Sequence, residues 1–166
     1  MLSELQQLLS CRRERENRAA AALRQLRHQL AHAEAGAQVA REKLGEHHRD
    51  RKERQDKLYR RSLRAKLTKR EIDDLNIELD LMEEDTEALA KKVQEADAAV
   101  AQVKTQVEEA AERYRRHRQA GDRWGHLVDD VTETERRFKE QAEEFAVEDD
   151  LGDRRAAGLG DQDGLS

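Results

Sequence analysis

Apolar residues recur along this chain at alternating steps of three and four. Read in sevens from Ile72 to Phe145, the a positions are Ile72, Leu79, Thr86, Val93, Val100, Val107, Tyr114, Gly121, Val128, Glu135 and Ala142. The d positions are Leu75, Met82, Leu89, Ala96, Val103, Ala110, His117, Trp124, Val131, Phe138 and Phe145. Charge and alanine dominate the positions between them. An apolar repeat of 3.5 residues held this long predicts a helix packed along its length on another helix. The same phase runs through the first third of the chain. There the a positions are Leu2, Leu9, Glu16, Leu23, Leu30, Ala37, Leu44, Arg51 and Leu58, with d positions Leu5, Arg12, Ala19, Leu26, Ala33, Ala40, His47, Arg54 and Arg61. Its centre is a good seam, and charge compromises both flanks. Gly36 and Gly45 soften this helix by about 1 kcal/mol each relative to alanine.

Neither glycine nor proline separates Arg60 from Arg70, so one unbroken helix dimerising in parallel is formally possible. Three features favour a turn. Thr68 and Glu71 have the spacing of a capping box, and Leu67 and Ile72 fall at the hydrophobic-staple positions around it. A parallel dimer would also stack Arg51, Arg54 and Arg61 against their own copies. Folding the chain back pairs Leu58 with Leu75, Leu44 with Leu89, Ala40 with Val93, Leu26 with Val107 and Leu9 with Trp124. The polar seam residues then coincide as well, His47 with Thr86 and Glu16 with His117. Arg51 and Arg54 lie along Met82 and Leu79 with their heads in water, Lys57 faces Glu78, and Asp50 faces Asp85.

The expected fold is therefore all-α: a long two-helix antiparallel coiled-coil hairpin with a single-helix extension. Helix one covers about 2–61, the turn about 62–68 and helix two about 69–147, followed by a disordered acidic tail over 148–166. At 1.5 Å per residue the hairpin would span roughly 90 Å, and the extension carrying Phe138, Ala142 and Phe145 about 20 Å more. The tail is assigned to disorder on its acidic, glycine-containing composition.

Composition supports this reading. Of 166 residues, 42% are Asp, Glu, Lys or Arg, 3% are aromatic and none is proline. That leaves a narrow seam rather than a globular core. The net charge of -5 is too mild to imply nucleic acid, but it is unevenly spread. Residues 1–67 carry 17 Lys/Arg against 9 Asp/Glu, residues 68–131 carry 10 against 17, and residues 132–166 carry 5 against 11. The single cysteine, Cys11, excludes an intramolecular disulfide and fits a reducing compartment. No apolar run approaches the roughly 20 residues that span a bilayer. Direct membrane insertion is not expected, and a cytoplasmic protein is.

Three surfaces are candidates for partners. The turn is basic, with Arg60, Arg61, Arg64, Lys66, Lys69 and Arg70, and would suit an acidic protein or be a solvated tip. At the other end, Arg12, Arg13, Arg15 and Arg18 fall level with Arg113, Arg115, Arg116, Arg118 and Arg123, a collar suited to bidentate carboxylate contacts. Phe138 and Phe145 form an uncovered seam, spaced as a helix that docks in a groove. Scarce aromatics and the acidic remainder argue against nucleic acid. The pairs His28/His32 and His47/His48 lack the further ligands of a metal site. No nucleophile, phosphate loop or acid/base pair is present, so neither an enzyme nor a cofactor is expected. From these residues alone two readings remain, a monomeric hairpin that engages partners and a homodimeric structural scaffold.

The start, Leu5-Gln6-Gln7-Leu8-Leu9 followed by Arg12-Arg13-Glu14-Arg15-Glu16, resembles the N-terminus of the YscO/FliJ family. So does Trp124-Gly125-His126-Leu127-Val128-Asp129-Asp130 leading to Phe138-Lys139-Glu140-Gln141-Ala142-Glu143-Glu144-Phe145. The resemblance covers most of residues 1–150. It implies a central-stalk protein of type III secretion or flagellar export, similar to the gamma stalk of rotary ATP synthases. Its implied partners are a hexameric secretion ATPase, an export-gate protein and secretion chaperones, at a location peripheral to the inner-membrane export apparatus. The arginine collar would then grip the ATPase, and the basic tip would be a gate contact.

Overall fold

The computed structural model describes residues 1–160 and contains two helices, α1 over Leu2–Arg64 and α2 over Lys69–Gly160. They pair within one chain as an all-α helical hairpin. α1 runs three residues past its expected end and leaves 65–68 as the connection. The capping box forms there. Thr68 N–H donates to Glu71 Oε2 at 2.9 Å, and Glu71 N–H donates to Thr68 Oγ1 at 3.3 Å. Two amides that would otherwise lack partners at the start of α2 are thereby satisfied.

The heptad decides what is covered. In α1 every a and d position from Leu2 to His47 is buried or half-buried, and in α2 every one from Leu75 to Glu135. The buried apolar side chains are Leu23, Ala37, Met82, Ala110 and Val128, all seam positions. Two helices cover each other along one stripe only, so most of the seam stays half-exposed. The pattern loosens near the connection. Arg54 and Arg61 are exposed at d positions, and Ile72, an expected seam residue, is 46% exposed. Four residues into α2, Ile72 lies beside the chain reversal, where the helices have not yet closed into layers.

The chain divides into two compact units, one of residues 19–114 and the other of residues 1–18 with 115 onward. In the first unit, α1 and α2 join across the connection. Its middle holds a polar layer. Thr86 Oγ1 donates its only hydrogen to Met82 O at 2.8 Å and accepts from Arg51 Nη1 at 3.2 Å. His47 Nε2 lies 3.0 Å from the same hydroxyl, so this nitrogen carries the proton and donates. Replacing Thr86 by valine removes the shared acceptor and should cost about 1–2 kcal/mol. Urea unfolding measures this, and pairing Thr86→Val with His47→Leu should recover much of it. An added Cβ at Gly36 or Gly45 meets open space. Each Gly→Ala change should therefore raise stability by about 1 kcal/mol, seen as a higher urea midpoint.

In the second unit the start of α1 lies antiparallel on α2. The Arg12 guanidinium stacks over Trp124 at 5.9 Å, and an added Cβ at Gly121 would sit 3.1 Å from Glu16 Oε2. Glycine at this a position gives the Glu16 carboxylate room against the α2 backbone, a contact that an expected pairing with His117 did not foresee. Past Glu135, α2 proceeds without a partner among the described residues, and positions 136–159 are all exposed. Local ion pairs brace its first turns, Arg136 with Glu133 and Glu140 at 2.9 Å each and Arg137 with Glu133 at 3.1 Å. Hydrogen bonds from Arg136 and then Arg137 hold the Glu133 carboxyl below the ordinary carboxylate range.

The expectation of disorder from residue 148 is corrected over 148–160, where α2 remains helical. Once a helix is nucleated, each further residue costs little to add, and no proline stops it. Arg154 also pairs with Asp150 one turn back at 3.1 Å. Residues 161–166 of the expected tail lie outside the described residues.

Candidate partner-binding surfaces

Arg60 lies just before the last turn of α1 and Arg61 and Arg64 within it, Lys66 is in the connection, and Lys69 and Arg70 are in the first turn of α2. All six are exposed. Beside them the hairpin leaves an apolar groove of about 450 Å³. Leu58, Tyr59, Leu67, Ile72, Leu75 and Leu79 line it, with Gln55, Asp56, Ser62 and Asn76 supplying polar edges. The helices diverge enough here to leave the staple residues Leu67 and Ile72 as its walls. The charge run announced the cations, but the heptad pattern placed Leu58, Ile72, Leu75 and Leu79 on the seam rather than around a groove. Tyr59, off the seam and 66% exposed, was the available signal for the groove.

The arginine collar is brought together in part. Arg12, Arg13, Arg15 and Arg18 share a unit with Arg115, Arg116, Arg118 and Arg123, whereas Arg113 belongs to the other unit. Arg12 is half-buried, with its guanidinium over the Trp124 ring at 5.9 Å. Arg18 sits 3.9 Å from Glu14, an exposed pair of small energetic weight. Arg13, Arg15, Arg115, Arg116 and Arg118 are exposed.

Phe138 and Phe145 are 67% and 66% exposed on the unpartnered part of α2. Val147, Leu151 and Leu159 are also exposed on this part of α2, with Val147 and Leu151 on other faces of the helix. Ion pairs between the helices differ from the expected set. Glu78 is engaged by Arg54 at 3.7 Å rather than by Lys57, and Arg41 pairs with Asp97. Among the described residues, no group of three or more His, Cys, Asp or Glu side chains could hold a metal ion. No described helix is long and apolar enough to cross a membrane.

The chain is an all-α helical hairpin with exposed cations and exposed apolar side chains on its unpartnered helix. The chain belongs to the YscO family: the family model for type III secretion protein YscO matches residues 5–152. Its fold is similar to the 2.8 Å crystal structure of type III secretion protein YscO from Vibrio parahaemolyticus, with a TM-score of 0.73 at 20% identity. That match covers 86% of this chain and 90% of the Vibrio chain. No curated protein sequence matches the chain.

Proposed function

We propose that this type III secretion protein is a non-enzymatic stalk and adaptor of a hexameric secretion ATPase. It couples the ATPase ring to an export-gate protein and escorts secretion chaperones, in the cytoplasm at the periphery of the export apparatus. The carrying observation is that Arg13 and Arg15 of α1 share one compact unit with Arg115, Arg116 and Arg118 of α2 and with the uncovered stripe of Phe138 and Phe145. The cations and the apolar stripe lie about 30 Å apart along one helix, so they fit a partner that offers carboxylates and an apolar surface at separate points, and the cations speed encounter in a salt-dependent way. The basic turn, at Arg60, Arg61, Arg64, Lys66, Lys69 and Arg70, is assigned to the gate contact.

Mixing the chain with its cognate ATPase at low salt should raise hydrolysis and promote hexamers. The double change Arg15→Glu with Arg118→Glu should weaken that association about tenfold or more, mainly through the on-rate, and leave helicity unchanged. Unaltered hydrolysis and assembly with the wild-type chain at low salt would overturn the assignment.

A further inference from the structure

The turn concentrates charge that the protein itself does not use. From Arg60 to Arg70 there are six exposed cations and no carboxylate, and none of the six makes an ion pair with a described residue. Glu71, the next residue, accepts a hydrogen bond from the Thr68 N–H. Arg61 shares a cavity with Glu71, Asp74 and Glu78 and is the most screened of the set. Arg60, Arg64, Lys66, Lys69 and Arg70 line neither that cavity nor the apolar groove beside it, so a side chain seated in either hollow does not meet them. Leu63, 70% exposed, stands among these five, and Tyr59 lies one turn earlier on the same helix face.

Cations spread over two helix ends and the connection are met together by a broad, laterally fluid array of anions. We infer that the turn binds the surface of an anionic phospholipid bilayer. The five cations meet lipid phosphates, and Leu63 and Tyr59 enter the headgroup layer. Residues 57–74 carry seven cations against three carboxylates, an excess of four. Each net positive charge near an anionic surface raises binding about fivefold, so the excess gives roughly several hundredfold over a neutral bilayer. The net charge of -5 on the whole chain does not cancel this. Glu78 lies about 13 Å along α2 from its start and later carboxylates farther still, beyond the screening length of about 8 Å at physiological salt. The inference deepens the reading of the turn as a gate contact and rests on it only for the nearness of a membrane.

Flotation of the full chain with vesicles tests this without ATPase or gate protein, so its failure is separate from theirs. At low salt the chain should float with vesicles of phosphatidylcholine and phosphatidylglycerol in equal parts. Vesicles of phosphatidylcholine alone should bind it about a hundredfold more weakly or worse. Above about 0.5 M salt the anionic vesicles should release it. The triple change Arg60→Glu, Arg64→Glu and Lys66→Glu should weaken binding about a hundredfold or more, and Leu63→Ser about tenfold. A charge-matched control, Arg24→Glu with Arg27→Glu and Lys43→Glu, alters exposed cations farther back along α1 and should bind as the wild type does. All the altered side chains are exposed, and circular dichroism checks that helicity is retained. A chain that ignores anionic vesicles at low salt overturns the inference and leaves these cations to a protein partner. Equal binding to both kinds of vesicle overturns it, as does undiminished binding by either turn variant. An equal loss in the control would mean diffuse charge and overturns it too.

Discussion

Replacing Val128 by aspartate is expected to open the unit formed by residues 1–18 and 115 onward while leaving residues 19–114 folded. Val128 is 7% exposed and is the buried apolar side chain of that unit among the described residues. Arg12, a cation on this unit's seam, is stacked over Trp124, so a carboxylate at 128 must draw it away, shed its charge or part the helices. The cost of an unpaired buried charge is about 3 kcal/mol or more. Against it stand only half-buried neighbours such as Leu5, Leu9 and Trp124. Amide exchange should therefore accelerate over residues 2–18 and hardly change over residues 23–40. Uniform acceleration along both helices would mean that the chain unfolds as one cooperative block.

Leu23→Ala should produce the larger global effect. Leu23 is 5% exposed in the other unit, where the buried apolar side chains are Leu23, Ala37, Met82 and Ala110. Truncation loses the transfer energy of the side chain and leaves a gap that two helices can only partly close, about 2–3 kcal/mol in all. Ala37, at 1% exposed, marks a site where α2 covers the backbone most tightly, so little sliding is available to refill the space. Urea unfolding followed by circular dichroism should show a lower midpoint with an unchanged slope. A loss below about 0.5 kcal/mol would show that the seam is plastic rather than packed.

The hairpin was legible because its burial follows a one-dimensional rule. Wherever a and d residues are apolar and paired, as from Ala19 to Leu44 and from Leu89 to Ala110, the seven-residue count identifies the covered side chains. The reversal was legible for a local reason, since Thr68 and Glu71 satisfy each other within one turn. The long polar side chains were harder. Arg54 reaches Glu78, Arg12 lies over Trp124, and Glu16 rests beside Gly121, because flexible side chains choose among partners up to a turn away. The helix over 148–160 was missed because composition reports what can be buried, not whether an existing helix will keep propagating. Of the candidate surfaces, the charge runs were visible in the sequence. The groove between Tyr59 and Ile72 was not, since it exists only where two helices fail to close.

The boundary at Glu135 has a mechanical consequence. Up to that residue α2 is laced to a second helix, and beyond it to Gly160 it stands by itself. Two laced helices resist flexing more than one, because bending them must also shear the packed seam between them. A sideways load on the far part of α2 will therefore concentrate its curvature just past Glu135. There the bracing pairs of Glu133, Arg136 and Glu140 resist the bend, and the unpartnered helix yields before the packed seam does.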